Sequence, residues 1–293
     1  MKKTILLFLL AVFSFSPLKA QLEDRFSYLT DSEVSKYAQP LITTLGTSLN
    51  SASYMSAAVP KNFSFTFSLK AMAVFVPKDQ QNFTPTLPNG YNADKPTATI
   101  YGDKGGYYAG KNGYYVYPPG INHTTIPMAF PQFTIGFGGT EFLLRFLPSI
   151  PVGGKKLNFL TVGLKYNLNQ YLFFSPVDIA VQGYYTTLTV SDIINSKNFA
   201  FNAEASKTFG VLTLYGGLQY ETSKLDLNYT ISGDAFNADP NLQQDRKVSA
   251  SITGKNTFRV TAGFALKLAV LVLNADYSIT NQPVLTTGLS FAF

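Results

Sequence analysis

Apolar and polar side chains alternate along most of the chain from residue 62 onward. In the segment NFSFTFSLKAMAVFV, the odd-numbered positions from Phe63 to Phe75 are apolar, and the positions between them include serine, threonine and Lys70. Successive side chains of an extended strand point to opposite faces, so this segment is predicted to be a strand with one apolar face. Comparable segments follow at roughly 130–137, 140–148, 157–168, 177–189, 198–206, 210–221, 250–265, 269–279 and 284–293. The pattern predicts about ten strands, within a range of about 8 to 12.

The gaps between these segments differ in length in a regular way. Both long gaps, near 77–129 and 222–249, fall at odd-numbered positions in the series, whereas every even-numbered gap is short. Outer-membrane barrels have long extracellular loops and short periplasmic turns, which matches a barrel that starts and ends in the periplasm. A soluble β-sandwich would reproduce the alternation but would leave the difference in loop length unexplained.

The composition is apolar for an exported protein. After the first residues, however, the sequence has no apolar run long enough for a membrane-spanning helix. Hydrophobic residues make up 46% of the 293 positions and charged residues 14%, and the densest later apolar run is LAVLVL at 268–273. Lipid offers no hydrogen-bond partners to the edges of a β-sheet. A sheet in the membrane must therefore close into a barrel, so that all its backbone groups are hydrogen-bonded. The expected fold class is therefore all-β, a transmembrane antiparallel β-barrel with an N-terminal helical plug.

The first twenty residues resemble a secretory signal peptide. Lys2 and Lys3 precede an apolar run from Ile5 to Phe13, and Ala20 offers a small residue for cleavage. The alternative, a retained anchor, is disfavoured because the run is far shorter than the roughly 20 residues of a spanning helix. Cleavage would remove three lysines and lower the formal charge from +6 to +3. The expected location is the outer membrane, with membrane lipid as a partner and without nucleic-acid binding.

Residues 21–61 are predicted to form an N-terminal helical segment, ahead of a barrel at 62–293. Apolar residues recur there at helical spacing, and the plug candidates among them are Tyr37, Leu41, Leu45 and Leu49. Proline lacks a backbone donor, so the helix is expected to break near Pro40, after a short turn that ends at Ala38. The segment is expected either to fold into the lumen as a plug or to cap the barrel mouth from the periplasm.

The last strand, VLTTGLSFAF, ends the sequence on an apolar face. Leu289, Phe291 and Phe293 share this face with Leu285. The pattern resembles the carboxy-terminal signal of outer-membrane proteins that the barrel-assembly machinery reads. An ordinary hydrophobic strand is the alternative interpretation.

Nine charged residues fall on the more polar faces of the predicted strands. A lysine or arginine facing lipid would cost about 2–4 kcal/mol near the membrane midplane, so these side chains are expected to face the lumen. They are the lumen and gate candidates: Lys70, Glu141, Arg145, Lys165, Asp178, Glu204, Glu221, Arg259 and Asp276. Their mixed signs predict pairing. A salt-bridged filling and a selective pore both remain open interpretations, and Arg145 is expected to pair with a carboxylate or with the plug.

Two segments resemble the signature of an uncharacterised family of outer-membrane barrel proteins that is frequent in Bacteroidota. They are YAQPLITTLGTSLNSASYMSAA at 37–58 and FPQFTIGFGGTEFLLRFLP at 130–148. This chain has Ser53 and Tyr54 where many relatives carry an aromatic pair, which leaves the docking of the helix open. The resemblance implies a barrel and brings no established activity. A fainter similarity to long-chain fatty-acid transporters is architectural, and those barrels have more strands.

No pattern in the chain predicts catalysis, a metal site or a cofactor. The chain has one histidine, His123, in a turn-rich loop, and it has no cysteine. The glycine-containing segment at 102–113 has no predicted strand before it and no predicted helix after it, as a phosphate-binding loop would require. It is therefore expected to be a flexible loop with an adhesive surface of tyrosine side chains. That surface would comprise Tyr107, Tyr108, Tyr114, Tyr115 and Tyr117.

The expected function is that of a non-enzymatic channel or transporter for a small ligand of unknown identity, with hydrophobic compounds as a candidate class. The alternative is a surface interaction or anchor protein that presents tyrosine-rich extracellular loops. A soluble enzyme is a distant third interpretation.

Overall fold

The computed structural model describes residues 29, 31–87, 89–110, 113–152, 155–172, 175–191, 193–231 and 245–293. The expected signal peptide at 1–20 lies outside these residues. Within them, no helix is long and apolar enough to cross a membrane.

Ten antiparallel strands form a closed barrel, as the alternation predicts. The first strand, β1, pairs along its length with the last, so the sheet has no free edge between its two ends. The eighth strand of the ring consists of two pieces, β12 (Arg246–Thr253) and β13 (Phe258–Leu268). They pair with residues 224–231 and 212–220, respectively, of β11 (Leu212–Ile231). The barrel strands are β1 (Ser64–Phe75), β6 (Thr125–Phe137), β7 (Thr140–Val152), β8 (Lys155–Asn167), β9 (Asp178–Val190), β10 (Ile194–Phe209), β11 (Leu212–Ile231), β12 (Arg246–Thr253), β13 (Phe258–Leu268), β14 (Leu271–Ile279) and β15 (Val284–Ala292).

Two of the predicted strand boundaries need correction. The segment predicted as one strand at 250–265 is interrupted at 254–257. The strand predicted to end near 221 continues to Ile231, so the second long gap is shorter than expected. In this extension the strand pairs on both sides, with β10 and with β12, and the added ladder hydrogen bonds hold polar residues in the sheet.

The outer surface of the barrel is apolar, and the inner surface is largely polar. On β10, for example, Phe199 and Phe201 are exposed, whereas Asn198, Asn202 and Glu204 are buried. Large apolar side chains are likewise exposed on the outside of β7, β8, β11, β13, β14 and β15. An exposed apolar belt of this extent is costly in water and is typical of a barrel that contacts lipid.

The two ends of the barrel differ. The connections at 138–139, 168–177, 210–211 and 269–270 form the short-turn end, and β1 begins there. The opposite, long-loop end carries the connection at 76–124, which contains the short strands β2 (Asn82–Phe83), β3 (Thr97–Ala98), β4 (Tyr107–Gly110) and β5 (Gly113–Val116). This long connection packs into a buried cluster with the helix and with the upper parts of β11 and β12.

One continuous helix, α1 (Asp31–Leu49), precedes the barrel, so the predicted break near Pro40 is wrong. Contacts with Gln282, in the connection between β14 and β15, hold the helix at the proline and one turn after it. The side chain of Gln282 donates to the Pro40 carbonyl (3.1 Å) and accepts a hydrogen bond from the Thr44 hydroxyl (2.7 Å). Tertiary packing therefore compensates for the backbone donor that proline lacks.

The helix runs from the long-loop end toward the short-turn end. Near its start, the carbonyl of Tyr37 accepts a hydrogen bond from the Ile100 amide in the long connection. After the helix, the carbonyl of Lys61 accepts from Gly138 in a short turn. Residues 31–58, called the lumen segment below, thus connect the two ends of the barrel.

Candidate functional site in the barrel lumen

Side chains from nine of the ten strands of the ring contact the lumen segment. These contacts are hydrogen bonds or, for two side chains, approaches of 3.7 Å to the sulfur of Met55. The contacting side chains include Lys70, Gln132, Arg145, Lys165, Tyr184, Asn202, Gln219, Arg259 and Ser290. Because these strands surround the segment, it lies inside the barrel.

The last turn of α1 ends deep in this interior, where its carbonyl groups need partners. The last four carbonyl groups of any helix have no hydrogen-bond donor within the helix. Here the carbonyls of Gly46 and Ser48 accept from backbone amides of the next residues, Asn50 and Ser51. The carbonyl of Thr47 accepts from Arg259 (2.9 Å), and that of Leu49 accepts from Arg145 (3.2 Å). All four carbonyls are therefore satisfied.

Arg145 and Arg259 reach the helix end from opposite walls of the barrel. Arg145 stands on β7 and Arg259 on β13, which are five positions apart in the ring of ten strands. The two guanidinium groups converge on Ser51. Arg145 donates to its carbonyl (2.8 Å), and Arg259 donates to its hydroxyl. The positive charges lie at the negative end of the helix dipole, which stabilises both.

Both arginines are almost completely buried, but among the described residues only Arg259 has a carboxylate partner. Arg259 forms an ion pair with Glu221, with 3.0 Å between Nη2 and Oε2. Arg145 donates its third hydrogen bond to the Gln132 side chain (2.9 Å), and no described carboxylate pairs with it. Of the two possible partners expected for Arg145, the structure has the lumen segment and not a carboxylate. The neighbouring carboxylates Glu141 and Glu221 are already engaged with other cations.

A second charged group lies toward the short-turn end. Lys165 is 2.8 Å from Glu141 and 3.7 Å from Glu204, and it donates to the Ser56 carbonyl (3.0 Å). Glu204 is buried, and neither of its carboxylate oxygens has a hydrogen-bond partner. This group therefore contains two carboxylates and one ammonium.

The remaining inward charges are separate from these two groups. Lys70 donates to Asn274 (2.7 Å), and Asp276 accepts from the Tyr215 hydroxyl (2.9 Å). Asp178 is only partly buried and contacts Asn169 at the start of its strand, away from the helix end.

The predicted plug and terminal residues occupy different environments. Tyr37 and Leu49 are fully buried, and Leu41 and Leu45 are partly buried against the same clusters. Leu289, Phe291 and Phe293 are exposed on the outside of the barrel. The roles assigned to them, as a plug and as an assembly signal, stay predictions.

The long-loop end contains a buried polar contact within an aromatic cluster. The buried Glu33 carboxylate accepts from the Tyr117 hydroxyl (2.8 Å) and pairs with Lys36 (2.9 Å). Burial, together with the adjacent Glu33, raises the pKa of Tyr117, so this tyrosine stays neutral and can donate. Tyr108 is also buried, whereas Tyr107 and Tyr114 are exposed. The predicted tyrosine surface is therefore only partly correct, because the strand pair β4–β5 turns alternate side chains inward.

Several uncharged residues of the site were not predicted from the sequence. Gln132, Tyr184, Gln219 and Gln282 all bond to the lumen segment. The first three lie at inward positions of their strands, so a search of those positions for amides and hydroxyls would have found them.

Metal-binding side chains do not cluster in the described part of the chain. No group of three or more histidine, cysteine, aspartate or glutamate side chains is placed there to hold a metal ion. The exposed His123 has its Nδ1 2.9 Å from the carbonyl of its neighbour Asn122.

Below the helix end, a cavity of about 420 Å³ lies at the short-turn end of the lumen. It is bounded by residues 53–60 of the chain, by inward side chains of the barrel and by Phe293. The lumen is therefore filled by the helix at one end and hollow at the other.

Replacing Arg145 with methionine should loosen the helix end without unfolding the barrel. The change removes the hydrogen bonds to Leu49, Ser51 and Gln132, and it leaves no described carboxylate without its partner. Hydrogen exchange of the amides at 48–53 should become faster by about tenfold, and exchange in the strands should be unchanged. Lys104→Met, at an exposed loop position, is the control. Equal exchange at 48–53 in Arg145→Met and wild type would contradict this assignment.

Comparisons with known proteins identify the family. In solved structures, the chain is 11% identical to OmpT with loop L8 deleted, an outer membrane protein of Vibrio cholerae, over 79% of this chain and 98% of that one (TM-score 0.28). It is 9% identical to the translocator domain of the autotransporter NalP from Neisseria meningitidis, over 92% and 99% (TM-score 0.24). It is 10% identical to the toluene transporter TbuX of Ralstonia pickettii, over 84% and 92% (TM-score 0.23).

At these identities and scores the likenesses carry no argument, and the barrel rests on the strand pairings described above. No curated protein matches the chain. The Bacteroidota distribution and the similarity to fatty-acid transporters are not supported by these comparisons. The model of a family of unknown function, DUF6588, matches residues 1–293. The chain therefore belongs to this family.

Proposed function

We propose that this protein is an outer-membrane barrel that acts as a gated, non-enzymatic channel or transporter for a small ligand. The lumen segment is its plug, and the conformation described here is the closed one. The single observation that carries the proposal is the capture of the α1 carboxyl end by Arg145 and Arg259 from opposite walls.

The apolar outer belt supports a membrane location. Exposed side chains such as Phe142, Leu160, Leu218 and Phe264 would face hydrocarbon, and the charged residues of the same strands face inward. The exposed face of the last strand, with Leu289, Phe291 and Phe293, is the surface that we propose the barrel-assembly machinery recognises.

The contacts inside the barrel support a closed resting state that needs a trigger to open. Each buried carbonyl that loses its donor costs about 1–3 kcal/mol, and the lumen segment has such contacts on every side. A ligand can shift the equilibrium only by the difference in its affinity for the two states. Opening therefore requires a ligand or partner that favours the displaced segment.

A second candidate function is that of a surface anchor. Tyr107, Tyr114 and Val116 are exposed on the β4–β5 strand pair at the long-loop end. Exposed aromatic side chains are enriched at protein interfaces. In this alternative the lumen segment is permanent filling, and the barrel only holds the loops at the surface.

Arg145→Met should raise the permeability of whole cells to a small dye or antibiotic, since it frees the helix end without stranding a described charge. Folded barrel in the membrane is checked by heat-modifiable gel migration. Arg145→Lys keeps the charge but loses the forked geometry of the guanidinium group. The permeability of cells that carry it should therefore lie between those of wild type and Arg145→Met. Lys104→Met is the matched surface control. If Arg145→Met folds and its permeability equals that of wild type, the anchor function is favoured instead.

The orientation can be tested with single cysteines, because the chain has none of its own. Asp103→Cys, in the exposed part of the 76–124 connection, should react with an impermeant maleimide on intact cells. Gln170→Cys, at the short-turn end, should react only after permeabilisation. The reverse pattern would show that the barrel has the opposite orientation.

A further inference from the structure

The apolar outer belt ends at a defined level on the wall formed by β10, β11 and β12. On β11, the exposed Leu218 and Tyr220 are followed, at the next two outward positions, by Thr222 and Lys224. Farther toward the long-loop end, the exposed positions of β12 are polar as well, namely Lys247, Ser249, Ser251 and Thr253. The strands therefore continue beyond the belt with a polar outer face.

Aromatic side chains mark the level at which the belt ends. Tyr185, Phe199, Tyr220 and Phe258 are all exposed, and they stand on the neighbouring strands β9, β10, β11 and β13. Tyr185 lies directly opposite Phe199, and Tyr220 lies opposite Phe258, with 5.7 Å between the last two ring centroids. Membrane barrels carry girdles of aromatic residues at both interfaces between hydrocarbon and water. In a barrel that spans a membrane, the headgroups lie just beyond such a girdle.

Two lysines lie at this headgroup level. On β10, Lys197 occupies the next outward position after Phe199, and it stands directly opposite Lys224 of β11. The register continues to Thr187 of β9 on one side and to Thr253 of β12 on the other. Four side chains that can donate hydrogen bonds thus form one row across four strands, called the lysine row below.

The lysine row has more positive than negative charge around it. Side chains directly opposite in an antiparallel pair have their Cβ atoms about 4.5–5.5 Å apart, and like charges at such positions repel each other. Lys224 is 3.5 Å from Asp226 on its own strand. Among the described residues, no carboxylate forms an ion pair with Lys197. An anion bound between the two lysines would remove this repulsion.

We propose that the lysine row binds the phosphate monoester head of a lipid in the outer leaflet of the membrane. A phosphate monoester carries a charge of about −1.5 to −2 at pH 7, which matches two ammonium groups. The lipid chains lie on the apolar surface next to the row, formed by Phe199, Phe201 and Leu218. This adjacent surface favours a lipid over an acidic peptide as the ligand.

The leaflet follows from the orientation proposed above, in which the long-loop end faces outward. The proposal thus rests on the proposed membrane location and orientation. It does not depend on transport through the lumen, because the lysine row lies on the outside of the barrel.

The test measures lipid binding to the full-length protein in detergent by native mass spectrometry. The probes are dioleoylphosphatidate, which is a phosphate monoester, dioleoylphosphatidylglycerol, which is a diester with one negative charge, and uncharged dioleoylglycerol. Phosphatidate should bind most tightly. Lys197→Gln should weaken its binding about fivefold, the effect expected of one lysine near an anionic headgroup. Asp226→Asn should strengthen phosphatidate binding, because it removes the partner that competes for Lys224.

The matched control is Lys207→Gln, which removes an exposed lysine from the outer face of the same strand at its short-turn end and should bind phosphatidate as wild type does. Equal binding of phosphatidate and phosphatidylglycerol, or equal losses in Lys197→Gln and Lys207→Gln, would overturn the proposal. Displacement of phosphatidate by an equal concentration of inorganic phosphate would also overturn it, since the site would then be one for free phosphate. Heat-modifiable migration checks that each variant is folded.

The membrane location is tested separately by fractionation of the cells. Protein that is found in the outer-membrane fraction but has no preference for phosphatidate would count against this site alone. Protein absent from that fraction would contradict the proposed location and, with it, the binding of an outer-leaflet lipid. The two failures can therefore be told apart.

Discussion

The structure depends on the burial of a helix end inside a barrel. A helix that stops within a lumen exposes unpaired carbonyl groups, and no solvent is available to them once the strands close around it. Arg145 and Arg259 meet this requirement from opposite walls, and the helix end in turn stabilises their positive charges.

The same strands serve two environments. Period-two alternation sends apolar side chains outward to a continuous belt and polar side chains inward to a wall rich in amides, hydroxyls and charges. A polar inner wall needs either water or a polar partner. The lumen segment supplies the polar partner in the upper and middle lumen, through its own carbonyls and hydroxyls, while the cavity with Glu141 and Lys165 stays open below.

Local patterns were sufficient to predict the ten strands and the inward direction of charges such as Arg145 and Glu204, because strand alternation depends only on neighbouring residues. Contacts between distant residues were not predictable. Pro40 stays within a helix whose contacts include Gln282, which is far along the chain and bonds to the Pro40 carbonyl and the Thr44 hydroxyl. The hydroxyl of the buried Tyr117 donates to Glu33, which is 84 residues away in the sequence. The partner of Arg145 was not predictable either, because Glu141 and Glu221 pair with other cations and the local sequence does not show these pairs.

Functional consequences follow from how firmly the lumen segment is held. The lumen segment contacts nine strands, and the proposed gating rests on these contacts. In the proposed gate, the regulated step is the release of the helix end from the arginines. In the alternative anchor function, the same contacts are permanent.

The most direct test is the single-channel conductance of a barrel whose lumen segment can be locked. The hydroxyls of Ser56 and Ser206 are 3.2 Å apart, so cysteines at both positions should form a disulfide between the segment and β10. In an Arg145→Met background, channel openings in planar bilayers are expected under reducing conditions and should be lost on oxidation. Openings that are equally frequent in the oxidised and reduced protein, or absent in both, would contradict the claim that this segment is the gate.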